Sequence, residues 1–310
     1  QACAIGVSLR SPLAATTKES RPPHQALLIA EFTAALCDET TAQTHELDAA
    51  RATSPAVGME GALRVAVARD ARLAADRSHN RAAARFLRAL RHGEAAFGEL
   101  GSEACPRLKE REELPFMLML VSGLQVVLHD SAAGSPLGVP KETILDVARS
   151  AQCLSDEDWW YGPAAMQAAA WATIPGSAPE GTDPWVMLAD VGQKSDATGI
   201  RVARALQVLI SVNAGRDDLA EQAIRDHAAA RAATPSSERF ALFDQYALNL
   251  SRHQSDLFWM KEEGHRTPVF GELPGDGTPE SGPDALGEDP FAEDPFGGDP
   301  FGDPPAGDPA

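Results

Sequence analysis

The chain has 310 residues, a formal net charge of -18 and only 6% Phe, Trp and Tyr. Such an Ala-rich, aromatic-poor composition points away from an all-β fold, because Ala loses no side-chain entropy in a helix whereas strands favour β-branched and aromatic residues. The acidity disfavours nucleic-acid binding, which needs clustered Lys and Arg to release counterions, and no apolar run approaches the roughly 20 residues that span a bilayer.

In chain order, residues 1–22 read as an extended leader, with Ser11-Pro12 and Pro22-Pro23. Gln1-Ala2-Cys3 has the form of the end of a lipobox, which makes Cys3 a lipidation candidate; an ordinary N-terminus that carries a Cys is the alternative. Residues 23–265 read as one α-helical domain. Its first helix is predicted from His24 to Ala50, with Leu28, Phe32 and Leu36 on one stripe, and a long helix or broken pair follows to Leu100. Pro115, Pro140, Pro163, Pro184 and Pro235 each stand at a predicted helix head, where the missing N–H costs nothing. They precede helices at Phe116–Asp130, Lys141–Leu154, Ala164–Thr173, Trp185–Val191 and Ser236–Glu263. A further pair, Ala197–Asn213 and Asp217–Ala233, meets at Gly215.

Residues 266–310 are predicted to be a disordered acidic tail. From Pro268 onward there are eleven Asp or Glu and no Lys, Arg or His, so the rest of the chain carries only -7. Gly, Pro and Asp dominate, and Asp-Pro-Phe recurs at Phe291, Phe296 and Phe301; such a segment buries too little apolar surface to offset its ordering entropy. A chain that ends at Glu263 is therefore expected to keep its melting behaviour.

Gly215, Ala220 and Ile224 stand at the spacing of the turn glycine, the close-packing alanine and the bulky second-helix residue of a tetratricopeptide hairpin, and Ala82, Phe86 and Ala89 repeat the second-helix part. Degenerate repeats and an irregular bundle both accommodate this grammar. Trp159, Trp160, Tyr161, Trp171 and Trp185 hold four of the five Trp residues. They are the candidate partner- or ligand-binding residues, with packing at a helix junction as the alternative. Of the other cysteines, Cys37, Cys105 and Cys153 leave open one disulfide with a spare thiol, or three buried thiols. His45-Glu46 begins like a zinc-protease helix, but Ala49 stands where the second His belongs, and no nucleophile elbow or phosphate loop is present. The remaining His residues read as surface or satisfied core residues. No catalytic residue, metal or cofactor is expected.

From Arg81 to Trp259 the order of motifs resembles the TatT family, TRAP-transporter-associated periplasmic proteins built on cryptic tetratricopeptide hairpins. The likeness rests on Phe86-Leu87-Arg88-Ala89-Leu90-Arg91-His92-Gly93, on Tyr161-Gly162-Pro163 through Ile174-Pro175, on Gly181-Thr182-Asp183-Pro184, and on Leu242, Ala247 and Leu248 before Asp256-Leu257-Phe258. Phe116-Met117-Leu118-Met119-Leu120 departs from the family by lacking its Tyr-Trp pair. The resemblance implies a non-enzymatic, membrane-anchored periplasmic protein that docks a solute-binding protein and passes a small or apolar solute. An adaptor subunit of an envelope complex, tethered by its tail, is the second expectation. Partners are thus an envelope protein or a solute-binding protein, with contact to the membrane only through a lipid anchor and self-association left open.

Overall fold

The computed structural model describes residues 23–276. Among these the fold is all-α: α1 His24–Thr53, α2 Gly61–Phe97, α3 Glu110–Ala132, α4 Thr143–Ala151, α5 Gly162–Thr173, α6 Pro184–Asp196, α7 Val202–Asn213, α8 Asp217–Ala233 and α9 Ala241–Glu263. The leader, Cys3, Phe291, Phe296 and Phe301 lie outside the described residues.

The long α1–α2 pair organises the first half. Ala34, Ala35, Ala42, Ala49 and Ala52 of α1 and Ala71, Ala75, Ala82, Ala83 and Ala89 of α2 are all buried, and side chains this small let two helix backbones approach closely. Ion pairs set the register: Glu31 meets Arg88 at 3.0 Å, Asp38 meets Arg85 at 2.7 Å and Arg81 at 3.0 Å, and Glu46 meets His79 at 3.0 Å. As numbers rise along α1 they fall along α2, so the pair is antiparallel. The region predicted as one helix or a broken pair is one continuous helix.

Helix α3 starts five residues before the position that Pro115 marks. Its entry is fixed by the Lys109 backbone N–H, which donates to the Glu112 carboxylate at 3.0 Å, and by Glu110, Glu112 and Glu113 in the first turn, where carboxylates complement the positive end of the helix. These caps outweigh the proline, which lies inside the helix and merely withholds one amide donor from the Arg111 carbonyl. By length and composition α3 alone among the described residues could cross a membrane, but most of it is buried inside the fold. Gly93 lets α2 pass close to α3, since a Cβ there would overlap the Met119 side chain.

A disulfide joins Cys105, in the loop before α3, to Cys153, just after α4. Cys37 is disulfide-bonded as well, and no free cysteine remains among the described residues. The expectation of a spare or free thiol is thereby corrected.

Pro163 and Pro184 do stand in the first turns of α5 and α6. The segment predicted as one helix from Ala197 breaks at Gly199, where φ is +78° and a side chain would strike the Pro235 carbonyl; α7 therefore begins at Val202. Helices α7 and α8 form the predicted hairpin around Gly215 (φ +68°), with Val208, Ala220, Ala223 and Ile224 fully buried.

The folded body continues beyond the predicted limit of residue 265. Leu273 is 2% exposed and packs on Val208, Ala223 and Ile224, with Phe270 beside it. The Trp259 indole N–H donates to the Glu272 carbonyl at 2.9 Å, and the Thr267 N–H donates to Asp256 at 3.1 Å. One compact unit ends at Pro274. Reading composition alone missed this docking because two apolar side chains, Phe270 and Leu273, suffice to anchor the segment.

Ending the chain after Glu263 should therefore destabilise it. Loss of the buried Leu273 side chain alone costs about 2–5 kcal/mol. For a domain of this size that lowers the melting midpoint by roughly 5–15 °C. A chain ending after Asp276 should melt like the full-length protein, and scanning calorimetry of both truncations decides the boundary.

Candidate functional site

The five aromatic candidates do not form one surface. Trp159 and Trp160 are 6% and 5% exposed and belong to the core, where Trp160 lies 4.6 Å from Phe240 and 5.2 Å from Phe243 between ring centroids. Their reading as partner-facing residues is corrected: the junction before α5 folds them inward. Trp160 and Tyr161 both take positive φ, 52° and 60°, a costly conformation for bulky residues. It is held by Asp156, whose carbonyl accepts from the Tyr161 N–H at 2.7 Å and whose carboxylate accepts from the Ala164 N–H at 2.8 Å. Tyr161, Trp171 and Trp185 are half-buried. Tyr161 packs with Ala164, Ala165, Val191 and Ala203, while Trp185 packs with Ala168, Ala169, Leu188 and Ile210 and is covered by the Arg216 guanidinium at 5.5 Å.

The structure instead gathers a polar chain between α1, α2, α3 and α9. Glu46 receives His79 Nε2 on one oxygen at 3.0 Å and His253 Nε2 on the other at 2.7 Å. The Nδ1 atoms of His79 and His129 are 2.8 Å apart. With Glu46 ionised, both of its histidines donate through Nε2, so a neutral His79 offers Nδ1 as acceptor to the His129 N–H. Next to this, Glu39 accepts from Tyr246 at 3.0 Å and from Gln125 at 3.2 Å, and Gln125 also donates to the Tyr246 oxygen. His129 Nε2 lies 3.4 Å from Glu39.

Burial pushes the Glu46 carboxyl up, but its hydrogen bonds to and electrostatic contacts with His253 and His79 outweigh it and bring it down from 4.5 to about 2. Burial, aided by the Glu39 charge, pushes the Tyr246 phenol well above its ordinary value, which keeps it a donor. Among the described residues no group of three or more His, Cys, Asp and Glu has the geometry to hold a metal ion. The polar chain couples α1, α2, α3 and α9.

A second polar knot joins α7, α8 and α9. Arg201, fully buried, donates to Asp244 through its backbone at 3.0 Å and its side chain at 2.8 Å, and Arg231 adds a contact at 2.7 Å. Nearby, burial holds His227 down at about 3, so it is neutral, with Nδ1 2.9 Å from the Ser251 hydroxyl. This pair is sealed: both residues are fully buried.

Among the described residues, two depressions that open to solvent stand out. One, of about 890 Å³, lies where α1 begins, α2 ends and α3 begins, lined by His24, Ile29, Ala95, Ala96, Arg111 and Pro115 among others. His24 Nδ1 is 3.2 Å from His92 Nδ1 at its edge. Apolar walls beside one permanent cation suit a small ligand with an apolar body and an anionic end. The other, of about 570 Å³, runs along the outer face of α2.

Glu46→Gln keeps the side-chain shape but removes the charge shared by two histidines, and it should destabilise the fold by about 1–3 kcal/mol at pH 7. The sign with pH follows from the lowered value. Glu46 stabilises the fold fully above its ordinary 4.5, and this contribution disappears as pH falls towards 2. The gap between the urea midpoints of the variant and the parent should thus narrow steadily between pH 5 and pH 3.

Compared with family models, with characterised proteins and with solved structures, the chain has no match.

Proposed function

We propose that this chain is a non-enzymatic, tetratricopeptide-like helical-repeat protein of the cell envelope that binds a partner protein and carries a small apolar anion. The observation that carries this reading is the open cleft of about 890 Å³ at the α1–α2–α3 junction, with Arg111 over Ile29, Ala95 and Ala96. Its volume falls within the roughly 300–1,000 Å³ of small-molecule sites. The α7–α8 hairpin, with Gly215 at its turn and Ala220 and Ile224 buried, supports the repeat reading. The Cys105–Cys153 disulfide, together with the bonded state of Cys37, favours an oxidising compartment such as the periplasm.

The likeness to the TatT family supplies the class of partner, a solute-binding protein in TRAP-type transport. Titration calorimetry with hexanoate tests the cleft: it should bind, and Arg111→Gln should weaken it about tenfold or more, the loss of a charge-assisted contact. No heat with hexanoate, or equal binding by the variant, removes the solute from the reading. A pull-down from envelope extract that recovers no solute-binding protein removes the transport partner.

The Asp-Pro-Phe repeat favours a second reading, an adaptor subunit whose tail is a tether. Pro presets an extended backbone that displays each ring, and linked weak contacts gain through effective concentration. Replacing Phe291, Phe296 and Phe301 together by Ala should weaken capture of envelope partners far more than any single replacement, while far-ultraviolet circular dichroism stays unchanged. Equal capture by the triple variant would leave the tail without this role.

A further inference from the structure

The first half of α2 is turned inside out relative to the rest of the fold. From Gly61 to Asp70 no residue is buried and only Arg64 and Ala68 are partly covered; burial begins at Ala71. Leu63, Val65, Val67 and Leu73 are 65%, 66%, 38% and 45% exposed, four of the nine large apolar side chains exposed among the described residues. Ala62, Val65, Ala66, Arg69, Asp70 and Leu73 line one groove of about 570 Å³. Clustering of this kind marks a surface that another molecule covers. Arg69 and Asp70, side by side on this face, have no ion-pair partner among the described residues.

We propose that this face pairs with the same face of a second copy, antiparallel, about a two-fold axis between Arg69 and Asp70. The sequence is self-complementary in that arrangement. Arg69 of each copy meets Asp70 of the other, which gives two equivalent ion pairs. Leu73 of each copy fills the gap left over the small Ala66 of the other, and the Arg77 stem lies over the other Ala62. A parallel arrangement would set Arg69 against Arg69. A partner of one charge sign would leave either Arg69 or Asp70 unpaired at the centre, and a lipid surface would have to desolvate Asp70. Isologous pairing satisfies both charges.

Charge exchange tests the proposal on the full-length chain, by sedimentation velocity from low to roughly 100 µM concentration. The parent should sediment as a dimer at the upper end. Arg69→Asp sets Asp against Asp across the axis, and Asp70→Arg sets Arg against Arg, so each variant alone should be monomeric, with dissociation at least about tenfold weaker. Mixed one to one they should form a heterodimer, because every crossing pair is then opposite in sign. Both positions are exposed, so circular dichroism should show the parent's fold. A monomeric parent, variants that dimerise like the parent, or a mixture that stays monomeric would each overturn the proposal.

Discussion

The acidic edge of α1 is the element against which the other helices are registered. Glu31, Asp38, Glu39 and Glu46 recur about every two turns, so they share a face. They receive Arg88, then Arg81 and Arg85, then Gln125 and Tyr246, and finally His79 and His253. Alanine seams bury little area per residue and slide easily, so the apolar contacts between α1 and α2 say that the helices pair but fix their register weakly. Sliding by one residue would unpair several carboxylates at once. Each buried polar group left without a partner costs about 1–3 kcal/mol, which makes one register dominate.

The same carboxylates tie distant parts of the chain together. Glu46 and His253 are separated by 207 positions, as are Glu39 and Tyr246, so α9 is placed against α1 by polar contacts before its apolar face is considered. Two residues before Tyr246, α9 also supplies Asp244 to Arg201 and Arg231. One helix thus closes both polar knots. The docked segment that ends at Leu273 covers Val208 and Ile224, which also explains why the body does not stop where α9 stops.

How much of this was legible depended on whether the signal was local. The Pro163 and Pro184 entries and the Gly215 turn concern a few neighbouring residues, and the elements lie there. Pro115 misled because three carboxylates and a backbone cap upstream of it nucleate α3 earlier. The Trp159–Trp160 pair looked partner-facing because a sequence does not say which way a left-handed turn aims its side chains. The histidine chain was missed for another reason. His79, His129 and His253 are isolated in sequence and meet only across three helices; the legible trace was the spacing of acids on α1 opposite Arg81, Arg85 and Arg88. On α1 the apolar stripe of Leu28, Phe32 and Leu36 is the periodic signal, and the charged stripe beside it has the pattern of an ordinary solvent-facing edge.

These features share one physical logic. The alanine-rich seam between α1 and α2 draws its specificity from charge: Glu31 and Asp38 are covered on α1 and meet Arg88, Arg85 and Arg81, which stay partly exposed on α2. The outer face of α2 is then left with Val65, Ala66 and Leu73, side chains that would ordinarily be covered. Because helical periodicity assigns each residue to one face, moving charge to the inner face over Glu31–Glu46 and Arg81–Arg88 is separable from what α2 carries before Ala71. That first half touches little of the core, so packing within the chain does not require Leu63 or Val65 to be apolar, and a solvent-facing helix would be more soluble with Lys or Glu there. Val65 and Leu73, apolar at positions that the monomer does not use, are the residues that the proposed two-fold pairing would cover.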